Sequence, residues 1–249
     1  MKIDILTLFP QMFGSLKESI IGRASKNGLL DINVINIRDF SKDKHQKCDD
    51  EPYGGGAGML MTVQPIYDAI KSVLTENSKL FYLSPKGQVF NQNMAVDLSK
   101  EKHIILLCGH YEGVDHRILE IFNPTLISVG DYVLTGGEIP AMIVVDCISR
   151  LVDGVINKNS LEEESLANNL LEYPQYTRPA EFLGYKVPDV LLSGNHQNIA
   201  AWRSEMAIKE TKTFRPDLLE KKWTKLIGFQ GIWKRPLQRC KRKLKILMQ

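Results

Sequence analysis

Three polar, glycine-rich segments carry the residue types from which a ligand site could be built. They are Leu83-Ser84-Pro85-Lys86-Gly87, Gly109-His110-Tyr111-Glu112-Gly113-Val114-Asp115 and Ser128-Val129-Gly130-Asp131-Tyr132-Val133-Leu134-Thr135-Gly136-Gly137-Glu138. Each follows a short apolar run, and the carboxyl ends of buried strands are where open α/β sheets bind ligands. A pocket made from all three would offer main-chain donors and acceptors, which suits an uncharged heterocycle better than a triphosphate. A fourth segment, Tyr53-Gly54-Gly55-Gly56-Ala57-Gly58, is either a close-approach loop or a flexible connector. It matches neither G-x-G-x-x-G nor G-x-x-x-x-G-K-[ST]. Glu112 and Asp115 are candidate acids or helix caps. His110 and His116 have no Cys/His set to complete a metal site, so they read as surface histidines. Arg150 and the run Glu162-Glu163-Glu164 offer a cation and carboxylates; their plainer readings are a surface ion pair and a solvated linker.

The elements that would position these segments follow from the apolar pattern. Lys2–Phe9, Ile32–Ile37, Leu80–Leu83, His103–Cys108 and Thr125–Val129 read as strands. Gln11–Lys26, Val63–Leu74, Gln92–Lys100, Val114–Phe122 and Ile139–Val152 read as helices between them. Nearly continuous apolar strands separated by helices indicate a mostly parallel sheet covered on both faces, an α/β domain over residues 1–156. Residues 157–172 are polar and aperiodic, as a linker would be. Residues 173–249 read as a small helical domain, irregular up to Pro188 and helical from Asn195, with Pro216 or Asp217 starting a second helix.

Composition removes several classes. With 249 residues, 43% hydrophobic and 24% charged, the chain is neither disordered nor fibrous. No apolar run reaches the ~18 residues of a membrane helix. The amino terminus reads as a strand rather than a signal peptide, and Cys48, Cys108, Cys147 and Cys240 are too scattered for a disulfide or zinc framework. A reducing cytoplasm is the expected setting. The formal net charge of +3 conceals an asymmetry: Lys221–Gln249 holds ten basic residues and no acidic ones, leaving 22 basic against 29 acidic in the first 220. Ten cations interleaved with Trp223, Phe229 and Trp233 are what a nucleic-acid surface needs.

Five ordered motifs carry a resemblance. They are Asp50-x-Pro52-Tyr53-Gly54-Gly55-Gly56-x-Gly58-Met59, Cys108-Gly109-His110-Tyr111-Glu112-Gly113-x-Asp115, Gly130–Glu138, Tyr176-Thr177-Arg178-Pro179 and Leu191-Leu192-Ser193-Gly194-Asn195-His196. Together, up to about Arg215, they resemble the bacterial tRNA (guanine-N1)-methyltransferases, the TrmD family of the SPOUT superfamily. The resemblance implies a deep trefoil knot, S-adenosylmethionine bound in it, and methyl transfer to N1 of the guanosine immediately 3′ of the anticodon. It also implies a homodimer with active sites between subunits, a C-terminal domain that holds tRNA, and a contribution from Mg²⁺, although the sequence shows no metal-ligand cluster. Residue by residue, the cofactor contacts would be Leu83, Ser84, Pro85 and Gly87, then Cys108, Gly109, Tyr111, Glu112 and Gly113. The third set would be Val129, Gly130, Asp131, Tyr132, Val133, Leu134, Gly136 and Gly137.

For catalysis the resemblance places Glu112 beside the methionine moiety and Arg150 beside guanine O6, with the base in Glu162–Ser165. Guanine N1 carries a proton at neutral pH, so a carboxylate must take it while an arginine steadies charge on O6. Glu164 is assigned as the base, with Glu163 the alternative, because the family usually has Asp at this point. His110 replaces a common arginine and Ala57 a common proline, and the basic tail follows no family pattern. Two rival readings remain: a non-catalytic RNA-binding protein, and a related knotted enzyme acting on ribosomal RNA or a ribose hydroxyl.

Overall fold

The computed structural model describes residues 1–157, 164–166 and 169–219. Glu162, Glu163 and the basic tail Lys221–Gln249, with Trp223, Phe229 and Trp233, lie outside the described residues. The chain divides into two compact units, Met1–Leu161 and Glu162–Gln249. Among the described residues no helix is long and apolar enough to cross a membrane.

The first unit is built on strands β1 (Lys2–Thr7), β2 (Asp31–Asn36), β5 (Ser78–Val89), β6 (His103–Cys108) and β7 (Thr125–Ser128), hydrogen-bonded in the order β2-β1-β6-β5-β7. All four pairings are parallel. Two short strands, β3 (Asp49–Asp50) and β4 (Leu60–Met61), form a separate antiparallel pair around the glycine-rich loop. All six residues of β6 are buried, because a central strand covered on both faces has no solvent side. One face packs Ile3, Ile5, Ile104 and Leu106 against α1 (Ser19–Lys26), α3 (Gln92–Leu98) and α5 (Glu138–Ser149). The other packs Leu6, Ile105 and Leu107 against α2 (Val63–Val73) and α4 (His116–Phe122).

Two elements differ from the sequence expectation for local reasons. The helix expected over Gln11–Lys26 is a 3-10 segment, Pro10–Lys17, followed by α1. The break falls at Glu18 (ψ 170°) and Ser19 (φ 55°), and Gly22 accommodates it because a Cβ there would strike the Lys17 carbonyl. The strand expected over Leu80–Leu83 continues to Val89: Leu83 and Gln88 both face Ile127, and residues 84–87 bulge outward between them.

In the second unit, β8 (Glu181–Phe182) and β9 (Tyr185–Lys186) form a hairpin within the stretch expected to be irregular. Leu183 (φ 52°) and Gly184 (φ 86°) supply the two left-handed residues of a tight turn. Helices α6 (Asp189–Leu192) and α7 (His196–Phe214) follow, and residues 216–219 are helical again. Only Thr211 and Leu218 are buried among the described residues of this unit.

Candidate active site

Because β6, β5 and β7 are neighbours, the three glycine-rich segments leave the sheet side by side and enclose one cleft of about 330 Å³. Main-chain contacts fix the enclosure. The Gly137 N–H donates to the Gly109 carbonyl at 2.7 Å, and the Glu112 N–H to the Met59 carbonyl at 3.0 Å. Glycine is required at two of these points. A Cβ on Gly137 would lie 2.7 Å from the Cys108 Cα, and one on Gly109 would lie 2.9 Å from the Tyr82 hydroxyl. The Tyr82 phenol wedges between the turns, and burial pushes its pKa up against a backbone hydrogen bond from Val114.

The cleft brings together most of the residues singled out as cofactor contacts. Leu83, Ser84 and Pro85 form one wall, and Gly109, Tyr111, Glu112 and Gly113 another. Val129, Gly130, Tyr132, Val133, Leu134, Gly136 and Gly137 close it. Gly87, Cys108 and Asp131 are not on its surface. Gly87 is pressed against the Ile127 backbone, Cys108 is wholly buried behind the strand end, and Asp131 is exposed. Asp115 caps α4, its Oδ1 accepting from the Arg117 N–H at 2.9 Å, and the Arg117 guanidinium holds its carboxyl below the usual range. Glu112 packs against the glycine-rich loop: a Cβ on Gly58 (φ 88°) would meet its Cγ at 2.6 Å.

His110 is not the surface residue expected. It lines the cleft, with its ring 4.7 Å from Phe9 and 4.9 Å from Tyr111. Its Nδ1 is buried, without a hydrogen-bond partner in the structure, 3.7 Å from Glu138 Oε2. Glu138 itself is buried and accepts a 2.8 Å hydrogen bond from the Thr7 hydroxyl. In the sequence Glu138 only ends the third glycine-rich segment; its pairing with Thr7, 131 positions away, leaves no local signal. Lys86 and Tyr82 were also missed as lining residues, although Lys86 sits inside a segment already marked by its glycine and proline.

Arg150 caps the far end of α5 and does not line the cleft. Just beyond it, Gly154 packs on Leu29, whose carbonyl accepts from the amino terminus, so this region adjoins the amino end of the sheet. In the second unit, Glu164 is half-buried, and the neighbouring Ser165 hydroxyl accepts from the Glu172 N–H at 3.0 Å. Asn195 caps α7 by accepting from the Gln197 and Asn198 N–H groups, which explains the polar residues of Leu191–His196. Trp202 lies 6.5 Å from both Tyr173 and Tyr176, and Arg203 stacks 4.8 Å over Tyr173. Among the described residues no group of three or more His, Cys, Asp or Glu could hold a metal ion.

Comparison with known proteins agrees with the motifs. Residues 1–221 match the family model described as tRNA (Guanine-1)-methyltransferase TrmD, and the match stops where the basic tail begins. A tRNA (guanine-N(1)-)-methyltransferase of Ruminiclostridium cellulolyticum is 56% identical over 226 residues, covering 89% of this chain and 97% of that protein. The Clostridioides difficile protein of the same name is 56% identical over 227 residues (89% and 98%), and one from Clostridium perfringens 57% over 223 (89% and 94%). The chain belongs to the TrmD family of tRNA (guanine-N1)-methyltransferases.

Proposed function

We propose that the protein transfers a methyl group from S-adenosylmethionine to N1 of the guanosine immediately 3′ of the anticodon in tRNA. The observation that carries this is the single cleft formed by three glycine-rich strand ends, in a chain of this family. A backbone-lined cradle in which several Cβ atoms would collide fits a flat, uncharged purine held by main-chain donors and acceptors. Leu83–Pro85, Gly109–Gly113 and Val129–Gly137 would hold the cofactor. When bound, S-adenosylmethionine supplies a sulfonium methyl, whose sulfur keeps the bonding pair and becomes a neutral thioether as the N1–C bond forms.

The protein's own work is alignment and proton handling. The Glu164 carboxylate takes the N1 proton, Glu163 being the alternative base, and the Arg150 guanidinium steadies the charge on O6. Glu112 faces the methionine end. Arg150 is remote from its own cleft, which supports a homodimer that shares active sites between subunits. On α5, Ile139 and Ile143 are 44% and 37% exposed, and Met12 on the 3-10 segment that packs against α5 is 43% exposed, apolar surface suited to a second copy. From the edge strand β7 the chain returns to β6 at Gly137, a path that accords with a trefoil knot. The basic tail would grip the tRNA backbone, and removing Lys234–Gln249 should weaken tRNA binding and flatten its salt dependence. A tRNA substrate and the free thiols of Cys48, Cys108 and Cys147 accord with a cytoplasmic setting. The test is labelled methyl transfer to tRNA transcripts with guanosine or adenosine after the anticodon. Transfer to the guanosine transcript alone is expected; equal transfer to both, or to neither, would remove the claim.

A further inference from the structure

Under the floor of the cleft lies a carboxylate that the methyl-transfer chemistry does not use. Glu138 is 1% exposed, and its Oε1 is held by the Thr7 hydroxyl at 2.8 Å. Its Oε2 faces the unpartnered His110 Nδ1 at 3.7 Å. Gly136 and His110, both lining residues, lie between this carboxylate and the cleft: a Cβ on Gly136 would run into Glu138 Oε2 and lie 2.6 Å from His110 Nδ1. Among the described residues no lysine or arginine is ion-paired with Glu138, and the His110 ring lies beside it. The start of α5 favours an anion at this position. Burial first, and the neighbouring Glu138 second, push the Cys108 thiol well up. The other charged groups on the cleft, Lys86 and Glu112, are exposed and screened by solvent, whereas Glu138 is not.

We propose that the buried Glu138 carboxylate, held by Thr7 and flanked by His110, makes the cleft favour a sulfonium cation over the neutral thioether that remains when the methyl leaves. Glu138 is then a specificity-determining residue for donor against product. This rests on the cleft's being the S-adenosylmethionine site. Fixed charge in a low-dielectric wall acts on a cationic ligand and hardly at all on a neutral one of the same shape, and specificity is the difference between the two affinities.

The test is calorimetric titration of the full chain with S-adenosylmethionine and with S-adenosylhomocysteine. Glu138→Gln keeps an oxygen for the Thr7 hydroxyl but removes the charge. It should weaken S-adenosylmethionine binding about tenfold while S-adenosylhomocysteine changes by no more than about twofold. His110→Arg, which sets a cation against the carboxylate, should lower the same ratio of affinities, and it carries the test alone if Glu138→Gln does not fold. Equal changes for both ligands would assign Glu138 to packing and overturn the proposal. If neither ligand binds the unmodified protein, the reading of the cleft fails instead.

Discussion

The amino and carboxyl ends of one parallel sheet solve the problem of buried polarity in opposite ways. At the amino end, Asp4 is 1% exposed, yet every oxygen has a partner. His103 Nε2 lies 2.7 Å from Oδ2, Lys2 Nζ 3.2 Å from the same oxygen, and the Asn33 amide donates to Oδ1 at 3.2 Å. The Thr75 hydroxyl, 3.4 Å from His103 Nδ1, closes the cluster. At the carboxyl end, glycine replaces side chains, backbone groups face an open cleft, and His110 Nδ1 is left without a bond. Filled polar networks fix one structure, whereas unfilled ones leave room for a ligand. The amino end is a packed scaffold, and the carboxyl end is the open one at which the proposed cofactor would sit.

That contrast is broken most forcefully at Asp4. Asp4→Ala leaves the buried His103 facing a gap, while the half-exposed Lys2 turns to water, and should cost about 3 kcal/mol of unfolding free energy. Denaturant unfolding measures the loss, and cofactor affinity of the remaining folded protein should be unchanged. A variant that kept its stability but lost cofactor binding would reverse the roles of the two ends.

Arg150 tests whether function is confined to the carboxyl end of one chain. It lies near the amino end, so a role at guanine O6 requires the cleft of a second copy. Arg150→Ala and Glu164→Gln should each lower single-turnover methylation on the order of 10²-fold with cofactor binding intact. Mixing Arg150→Ala subunits with subunits unable to bind cofactor should restore activity, because one shared site is then complete. No restoration on subunit exchange would place both groups in one chain.

Gly137 sharpens the carboxyl end itself. The added methyl of Gly137→Ala would lie 2.7 Å from the Cys108 Cα and 2.9 Å from the Gly109 nitrogen, where no flexible side chain can yield. Forcing the two turns apart should cost about 1–3 kcal/mol, expressed mainly as weaker cofactor binding. An equal loss in stability with unaltered affinity would show that the turns are scaffold only.

What the sequence disclosed divides along the same line. His103–Cys108 was legible as a buried strand because burial on both faces leaves an unbroken apolar run. The three cleft segments were legible because glycine and proline are conspicuous in a short window. The break at Glu18–Ser19 was not, since Phe13, Leu16 and Ile20 keep helical spacing across it, although it is Ile21 that the structure buries. Nor was the resumption of β5 after Gly87, because Pro85 and Gly87 read as a strand end. Buried partners were the least visible. Asp4 meets His103 across 99 residues and Thr7 meets Glu138 across 131, and no local pattern marks either pair.

The smallest effect concerns Cys108, which closes β6 directly beneath the cleft. Full burial and the neighbouring Glu138 charge both disfavour its thiolate, and the thiolate is the reactive form. Cys147 is only half-buried; burial and Asp146 raise its thiol while Arg150 opposes them. Alkylation of the folded protein at mildly alkaline pH, followed by peptide mass analysis, should therefore mark Cys147 before Cys108. In Glu138→Gln the charge is gone but the burial remains, so Cys108 should stay protected. Rapid labelling of Cys108 in that variant would mean that the strand end opens when its carboxylate is neutralised. Stability would then depend on the carboxyl end as well, and the division between the two ends would no longer hold.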